Sequence, residues 1–399
     1  MERRYKGLRR FLGCLLAAAL CCGGAPVAAL AGDGYDGDFD LTANPVRITA
    51  PGRYRVRGGG VETANTIAVQ VPSGEVELVL DQVVIRAPAG ASASPIDLAG
   101  SPQVTLVLAG ENRLTRDYYL YTAVTAGIHL PPGAGVTICC ANGEGCPCRG
   151  GASCANTLVI AADDADGAAI GGKGPPAIER VDAEGCGRVD ICGGTLSFLL
   201  NSNGVAIGGG KTASSTNAGG SGGAVSVHGG HITGTGSIGN GFGGQFPSGL
   251  HAGSFFMDGG YLSLSSPSLA TIGVCPPVFS GQVSNPELKP DITVAGGTLE
   301  VKNTEGGCAL GGGVVGGEIR LLGGSVTAES LCQPAIGGTC LANVSSSRSE
   351  DIFTDGGGVD VRIGGGSVKA TVTASPPRAS NAPAIGDLGR GRCRSPAAR

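Results

Sequence analysis

One short pattern occurs six times between residues 189 and 368, and this repeat limits the folds that the chain can adopt. Each copy consists of an apolar residue, any residue, an apolar residue, any residue, two glycines, any residue and a further apolar residue. Because all three apolar positions are filled in every copy, the pattern marks a repeated structural unit. The second glycines of the six copies are Gly194, Gly230, Gly260, Gly297, Gly324 and Gly366.

The apolar positions alternate with a period of two, which is typical of strands that bury one face. The apolar residues lie three and five positions before the second glycine but two positions after it. Because the inward side changes from odd to even positions, the chain must turn a corner at the glycines. Glycine suits a corner because it adopts positive φ and lets the backbone approach a neighbouring turn. A small residue, then Ile or Leu, then Gly follows each copy, as in Ala206-Ile207-Gly208. Each repeat is therefore predicted to hold three short strands and three turns.

The spacing of the repeats predicts the fold class. Successive second glycines are 27 to 42 residues apart, and the variable part lies between the Ile-Gly segment and the next strand. Constant strands with variable loops on one side are typical of a solenoid whose rungs stack. We therefore predict an all-β parallel β-helix, with one three-strand rung per Gly-Gly repeat and long loop insertions. An antiparallel sandwich is the alternative, but it predicts no recurrent corner of this kind.

The first residues have the features of an export signal. Residues 1 to 31 contain a basic segment, an apolar segment and an Ala-Leu-Ala cleavage site, which together predict a secretory signal peptide. A lipid anchor at Cys21 or Cys22 is a second interpretation. We divide the rest into an acidic, flexible leader (32–45), a parallel β-helix domain (46–388) and a basic disordered tail (389–399). No other segment is long and apolar enough to span a bilayer.

These features predict a bacterial protein that is secreted or held at the cell surface. Removal of the signal peptide leaves 23 Lys and Arg against 31 Asp and Glu, a net charge near −8. An acidic body argues against a nucleic-acid partner. It also disfavours polyanionic glycans unless a cation intervenes.

Twelve cysteines follow the predicted signal peptide, and an even number in an exported chain indicates disulfides. Five of them crowd one loop with the spacing Cys-Cys-x5-Cys-x-Cys-x5-Cys. A metal site is one interpretation of this loop, but the spacing lacks the paired Cys-x2-Cys units of zinc ribbons. We favour disulfides that staple a long insertion, with connectivity left open. The candidates are Cys139, Cys140, Cys146, Cys148, Cys154, Cys186, Cys192, Cys332 and Cys340.

Two repeats, residues 225 to 233 and 319 to 328, carry a motif that resembles a known family. Their sequences are VSVHGGHIT and IRLLGGSVTA, and an Ile-Gly segment follows each. They resemble the repeats of exported bacterial carbohydrate-binding-domain proteins. Residues 104 to 115, 126 to 130 and 135 to 138 look like the opening rungs of the same family.

This resemblance covers roughly residues 60 to 388. It implies a right-handed parallel β-helix similar in shape to pectate lyases, with bound calcium. It also implies that plant-type polysaccharides or acidic sugars are the ligands. Since the matching positions are structural glycines and aliphatic residues, the resemblance assigns no binding residue.

Two groups of side chains are candidates for ligand binding. Asp163, Asp164 and Asp166 stand in a turn that ends in glycine, and closely spaced carboxylates suit calcium. A solvated turn without a ligand is the alternative. Tyr118, Tyr119 and Tyr121 offer aromatic rings that could stack on sugars, or the rings could simply pack against the protein.

No catalytic arrangement is evident in the sequence. A polysaccharide lyase needs an Arg or Lys base beside a calcium-bound uronate, and nothing places such a base beside Asp163. We therefore expect a non-catalytic carbohydrate-binding protein that binds plant-type or acidic polysaccharide with calcium. The alternatives are a polysaccharide lyase on the same scaffold, and a surface adhesin or structural stalk.

Overall fold

The structure is a computed structural model. It describes residues 34–88, 93–117, 125–162, 167–175, 181–201, 204–212, 217–243, 249–267, 270–275, 288–313, 316–331, 333–338, 358–373, 382–386 and 393–394. The regular secondary structure of the described part is almost entirely β-strand. Two 3₁₀ turns, Gly143–Gly145 and Pro147–Gly150, lie in the cysteine-rich insertion.

The strands are numbered in chain order. The first fifteen are β1 (Gly37–Asp40), β2 (Val46–Ile48), β3 (Gly52–Arg57), β4 (Glu62–Thr63), β5 (Ile67–Asp81), β6 (Val84–Ala87), β7 (Ile96–Ala109), β8 (Glu111–Arg116), β9 (Ile128–His129), β10 (Gly135–Cys140), β11 (Thr157–Ala162), β12 (Ile170–Gly171), β13 (Arg188–Ile191), β14 (Thr195–Leu200) and β15 (Val205–Gly208). The others are β16 (Ala224–Val227), β17 (His231–Thr235), β18 (Ser237–Gly239), β19 (Ser254–Met257), β20 (Tyr261–Ser266), β21 (Ile272–Gly273), β22 (Asp291–Val294), β23 (Thr298–Asn303), β24 (Leu310–Gly311), β25 (Glu318–Leu321), β26 (Ser325–Ser330), β27 (Ile336–Gly337), β28 (Asp360–Ile363), β29 (Ser367–Val372) and β30 (Cys393–Arg394).

These strands stack on three faces, and every pairing between rungs is parallel. Face one contains the strands before the corners, for example β10, β13, β16 and β19 in succession. Face two contains the strands after the corners, from β4 to β29. Face three contains the short Ile-Gly strands, from β9 through β12, β15, β18, β21 and β24 to β27. The predicted parallel β-helix, with three strands per rung, is confirmed.

The core fills the space between the three faces. The apolar residues that the repeats place inward are buried, except in the last rung, where Ile363 and Val368 are only partly buried. Ile and Leu of the Ile-Gly segments form one continuous column in this core, because each pairs with its equivalent in the next rung. The hydrophobic effect therefore acts along the whole stack rather than within one rung.

The predicted corner is present in all six repeats. The second glycine of every copy has a φ between +75° and +98°, a conformation that other residues rarely adopt. A Cβ atom on Gly260 would also lie 2.7 Å from the carbonyl carbon of Gly229 in the preceding corner. Glycine is therefore required both by the backbone angle and by the close approach of the corners.

The β-helix extends beyond both predicted boundaries. In the predicted leader, β1 pairs with β3, and Leu41 is fully buried. The acidic residues there have structural partners, since Asp38 forms ion pairs with Arg55 and Arg57. In the predicted tail, β30 pairs with β28. Paired strands therefore occur on both sides of the predicted boundaries at residues 46 and 388, and ion pairs of Asp38 help to hold β1 on face one.

The inward orientation can be tested with Ile319→Asp. We expect this variant to lose about 4 kcal/mol or more of stability, because it buries a carboxylate without a partner. Thermal unfolding followed by circular dichroism would measure the loss. Ser325→Asp is the matched control, since Ser325 is exposed in the same rung. Equal melting of both variants would show that the inward orientation is wrong.

The corner can be tested with Gly260→Ala. We expect a loss of about 1–2 kcal/mol from the positive φ alone, and more from the approach of Gly229. Gly306→Ala is the control, because a Cβ atom there meets nothing within 4 Å. Denaturant unfolding of the two variants would compare them. Equal midpoints would contradict the steric requirement at the corner.

Candidate functional site

Two of the predicted sites lie outside the described residues. These are the proposed calcium ligands Asp163, Asp164 and Asp166, and the proposed sugar platform of Tyr118, Tyr119 and Tyr121. Cys332 and Cys340 also lie outside them. These sites stay predictions.

Four cysteines of the long insertion come together beside a corner of the next rung. Cys140 ends β10, Cys146 lies between the two 3₁₀ turns that follow, Cys148 lies in the second turn, and Cys154 precedes β11. Their sulfur atoms all lie within 4.8 Å of one another. The Sγ atom of Cys146 is 3.0 Å from that of Cys148 and 3.3 Å from that of Cys140. Cys140, Cys146 and Cys148 are buried, whereas Cys154 is half-buried.

Polar groups from the surrounding chain point at these sulfur atoms. The side-chain amide of Asn156 donates to Cys140 Sγ at 3.0 Å, and the backbone N–H of Gly194 donates to Cys148 Sγ at 3.1 Å. Burial raises the pKa of Cys140 to about 11. Burial also acts to raise the pKa of Cys146, but hydrogen bonds from the Cys148, Cys140 and Cys154 thiols outweigh it and lower that pKa to about 7. Side-chain and backbone donors thus stabilise negative charge on these sulfur atoms.

The other described disulfide candidates lie near this cluster or on the adjacent rung. Cys139 and Cys192 occupy equivalent positions of neighbouring rungs, directly after the paired residues Ile138 and Ile191. Their thiols form a hydrogen bond that lowers the pKa of Cys139 and raises that of Cys192. Cys186 is fully buried, and burial raises its pKa to about 12. The seven described candidates carry free thiols, so the disulfides stay a prediction.

A polar groove of about 420 Å³ runs across the outer surface of face two. It spans four rungs, because its side chains come from β17, β20, β23 and β26. Two columns of in-register residues line it. The first column is Thr233, Ser263, Glu300 and Thr327, and the second includes Ser265, Lys302 and Glu329.

An aromatic pair adjoins this groove. The rings of His231 and Tyr261 stack at 4.8 Å between centroids, with 12° between their planes. The Tyr261 hydroxyl donates to Glu300 Oε2 at 2.6 Å, and this bond raises the pKa of Tyr261. Lys302 forms an ion pair with Glu329 at 3.1 Å. Hydroxyls, two carboxylates, an ammonium group and a stacked aromatic pair therefore meet on the outer surface of face two.

A charged network lies on face three around the buried His129. Nδ1 of His129 is 2.5 Å from Asp97 Oδ1, and its Nε2 is 2.7 Å from Glu184 Oε2. Lys173 Nζ binds the other oxygen of Asp97 at 3.0 Å. Burial acts to lower the pKa of His129, but the bonds to both carboxylates outweigh it and raise that pKa. Burial acts to raise the pKa values of Asp97 and Glu184, but the bonds to His129 lower both.

The histidine and groove contacts were not predicted from the sequence, although the repeat alignment contains part of the signal. His228 Nδ1 lies 2.8 Å from Asp258 Oδ1, and both residues stand two places before the second glycine of their repeats. Lys302 and Glu329 are likewise in register. Aligned positions become neighbours in a parallel stack, so such pairs follow from the alignment. The contact of His129 with Glu184 does not follow from the repeat alignment, because Glu184 lies in a loop.

The network of His129 predicts a pH-dependent stability. Its raised pKa stabilises the fold below the ordinary value of 6.5 and loses this effect as the pH rises through the folded value. The pKa values of Asp97 and Glu184 are lowered from 3.8 and 4.5, so both carboxylates stabilise the fold at pH values above these. This stabilisation is lost as the pH falls through the lowered pKa values. We therefore expect His129→Gln to cost most stability between about pH 4.5 and 6.5.

Unfolding of wild type and His129→Gln across pH 4 to 9 would measure this difference. His251→Gln is the control, because His251 is exposed. A stability difference that does not shrink as the solution becomes alkaline would contradict the charged state of His129.

Comparisons with known proteins leave the function to be argued from these surfaces. No family model, no curated protein and no solved structure matches this chain. Among the described residues, no helix has the length and apolar character needed to cross a membrane. The resemblance to carbohydrate-binding-domain proteins thus stays a prediction from the repeat motifs.

Proposed function

We propose that this protein is a non-catalytic carbohydrate-binding protein, and that the groove on face two is its binding surface. The observation that supports this most is the meeting of hydroxyl, carboxylate and ammonium groups beside the stacked His231 and Tyr261 rings. Sugar-binding surfaces combine such polar groups with an aromatic face. We also propose export through the signal peptide, which would bring the groove to extracellular polysaccharides.

The repeat of the rungs suits a linear polysaccharide. Neighbouring parallel strands are about 4.8 Å apart, so equivalent side chains recur at that interval along the stack. This interval is close to the length of one pyranose unit. Hydrogen-bonding side chains therefore recur along the groove at about the interval at which hydroxyl groups recur along a glycan chain. These side chains are Thr233, Ser263, Glu300 and Thr327.

The charges in the groove distinguish between classes of glycan. Glu300 and Glu329 contribute two negative charges, whereas Lys302 contributes one positive charge. A neutral polysaccharide meets no repulsion there, but a polyuronate does unless a cation bridges the carboxylates. The groove thus favours a neutral plant-type glycan. An acidic glycan would instead bind through calcium, which we propose at Asp163, Asp164 and Asp166.

The partners of the charged residues favour binding over catalysis. Glu300 accepts a hydrogen bond from the Tyr261 hydroxyl, and Glu329 forms an ion pair with Lys302. On face one, Arg320 is bound by Glu318 and Asp291, so it is a poor candidate for a lyase base. These pairs hold the side chains in fixed positions, as a binding surface requires.

The proposal is tested by retention of the protein on immobilised cellulose and polygalacturonate, with calcium and with a chelator. We expect cellulose to bind in both conditions and polygalacturonate to bind only with calcium. Glu300→Ala should weaken cellulose binding about tenfold, because it removes a charged hydrogen-bond acceptor.

Glu75→Ala is the matched control, since it removes an exposed carboxylate from face one. Binding that is equal in both variants would move the site away from the groove. Carbohydrate binding would be contradicted if neither cellulose nor polygalacturonate retained the protein. Release of unsaturated products would favour the lyase instead.

A further inference from the structure

The strongest unassigned feature of the molecule is the convergence of four thiols in the insertion between β10 and β11. Apart from these cysteines, the described residues offer no group of three or more metal-ligating side chains with ligand atoms so close together. The four come from a segment of fifteen residues, Cys140 to Cys154, that leaves the β-helix and returns to it. The periodic fold does not require them to meet, so their convergence needs a separate physical reason.

The sulfur positions fit one shared metal ion. Zinc binds thiolates at about 2.3 Å in a tetrahedron, which places the sulfurs about 3.8 Å apart. The sulfurs here are 3.0 Å, 3.3 Å and 3.9 Å apart for the pairs 146–148, 140–146 and 140–154, and all lie within 4.8 Å. A disulfide needs one exclusive partner at about 2.0 Å. Cys146 instead has three thiol neighbours.

The surroundings match those of a bound thiolate group. Asn156 donates to Cys140, Gly194 donates to Cys148, and the Thr195 hydroxyl lies 3.8 Å from the Cys154 sulfur. Such donors orient the ligands of a metal and stabilise the negative charge on sulfur. The corner glycine Gly193 lies against the cluster, since a Cβ atom there would lie 3.3 Å from Cys140 Cβ and 3.4 Å from Cys148 Sγ.

We propose that Cys140, Cys146, Cys148 and Cys154 bind one zinc ion as a closed, structural tetrathiolate site. Four soft sulfur ligands select zinc over calcium, which requires oxygen ligands. On binding, Zn²⁺ replaces the four thiol protons, which pass to solvent, and the site gains two negative charges. No oxidant or reductant takes part.

The site would fasten the insertion to the following rungs. The backbone N–H of Gly230 donates to the carbonyl of Cys148 at 2.7 Å, and Nδ1 of His231 donates to the carbonyl of Gly151 at 2.8 Å. A metal ion bound to Cys148 would therefore also hold the carbonyl oxygen that accepts from Gly230. Gly230 lies at the corner of the rung that follows β14. The bound ion stabilises the folded chain because the unfolded chain lacks the preformed site.

Cobalt substitution tests this proposal in the full chain. The chain is reduced, freed of reductant without oxygen and titrated with Co²⁺ alone. We expect one equivalent to give the strong visible bands of tetrahedral cobalt and a thiolate charge-transfer band, both removed by Zn²⁺. Octahedral bands, or no bands, would overturn the site. Two disulfides among these four cysteines, found by peptide mapping of the chain before reduction, would also overturn it.

Variants separate the site from general folding. Cys148→Ser should lower zinc affinity by more than about 100-fold, and Asn156→Ala by about 10–100-fold through loss of a donor. Asn156→Ala keeps all four ligands and provides the test if Cys148→Ser does not fold. Cys275→Ser is the control, because Cys275 is a buried thiol outside the cluster. Equal affinity in the control and Asn156→Ala would contradict the assigned role of Asn156. Unchanged affinity in a folded Cys148→Ser would overturn the proposal.

Discussion

The rest of the structure depends on parallel, in-register pairing between successive rungs. This pairing brings residues with the same position in the repeat within about 4.8 Å of each other, so each repeat position becomes a column along the molecule. Apolar positions form columns that fill the core, for example Ile207, Ile238 and Ile272 on face three. Polar positions form columns on the outside, which produce both the groove and the pairs between charged side chains. Core and surface are thus consequences of one register.

The same register imposes the high glycine content. On face three, a Cβ atom on Gly208 would lie 1.9 Å from the carbonyl oxygen of Gly239. The equivalent approach recurs at Gly239, Gly273 and Gly311, all with positive φ. A side chain at one of these positions would displace the neighbouring rung, and through it the column. The 74 glycines of the chain therefore include many that are fixed by stacking rather than by local turns.

This dependence explains how much could be predicted from the sequence. The corners, the three strands per rung and the inward residues repeat, so the alignment of six copies was enough to predict them. The pair of His228 and Asp258 occupies one column and could have been found in the same way. The meeting of Cys140 with Cys154 could not, because two 3₁₀ turns shape the insertion and nothing in the repeat determines their path. The pairing of β1 and β30 could not be predicted either, because these strands carry no copy of the pattern.

The insertion and the periodic sheet meet at one place, and this links the two proposals physically. His231 stacks on Tyr261 at the edge of the groove, and its Nδ1 atom donates to Gly151 in the insertion. That bond fixes the tautomer, so Nε2 of the neutral ring carries a lone pair. A metal held by Cys148 and Cys154 would hold Gly151 between them, and with it the orientation of the His231 ring. The aperiodic loop would then set the geometry of one edge of a surface that the repeats otherwise determine.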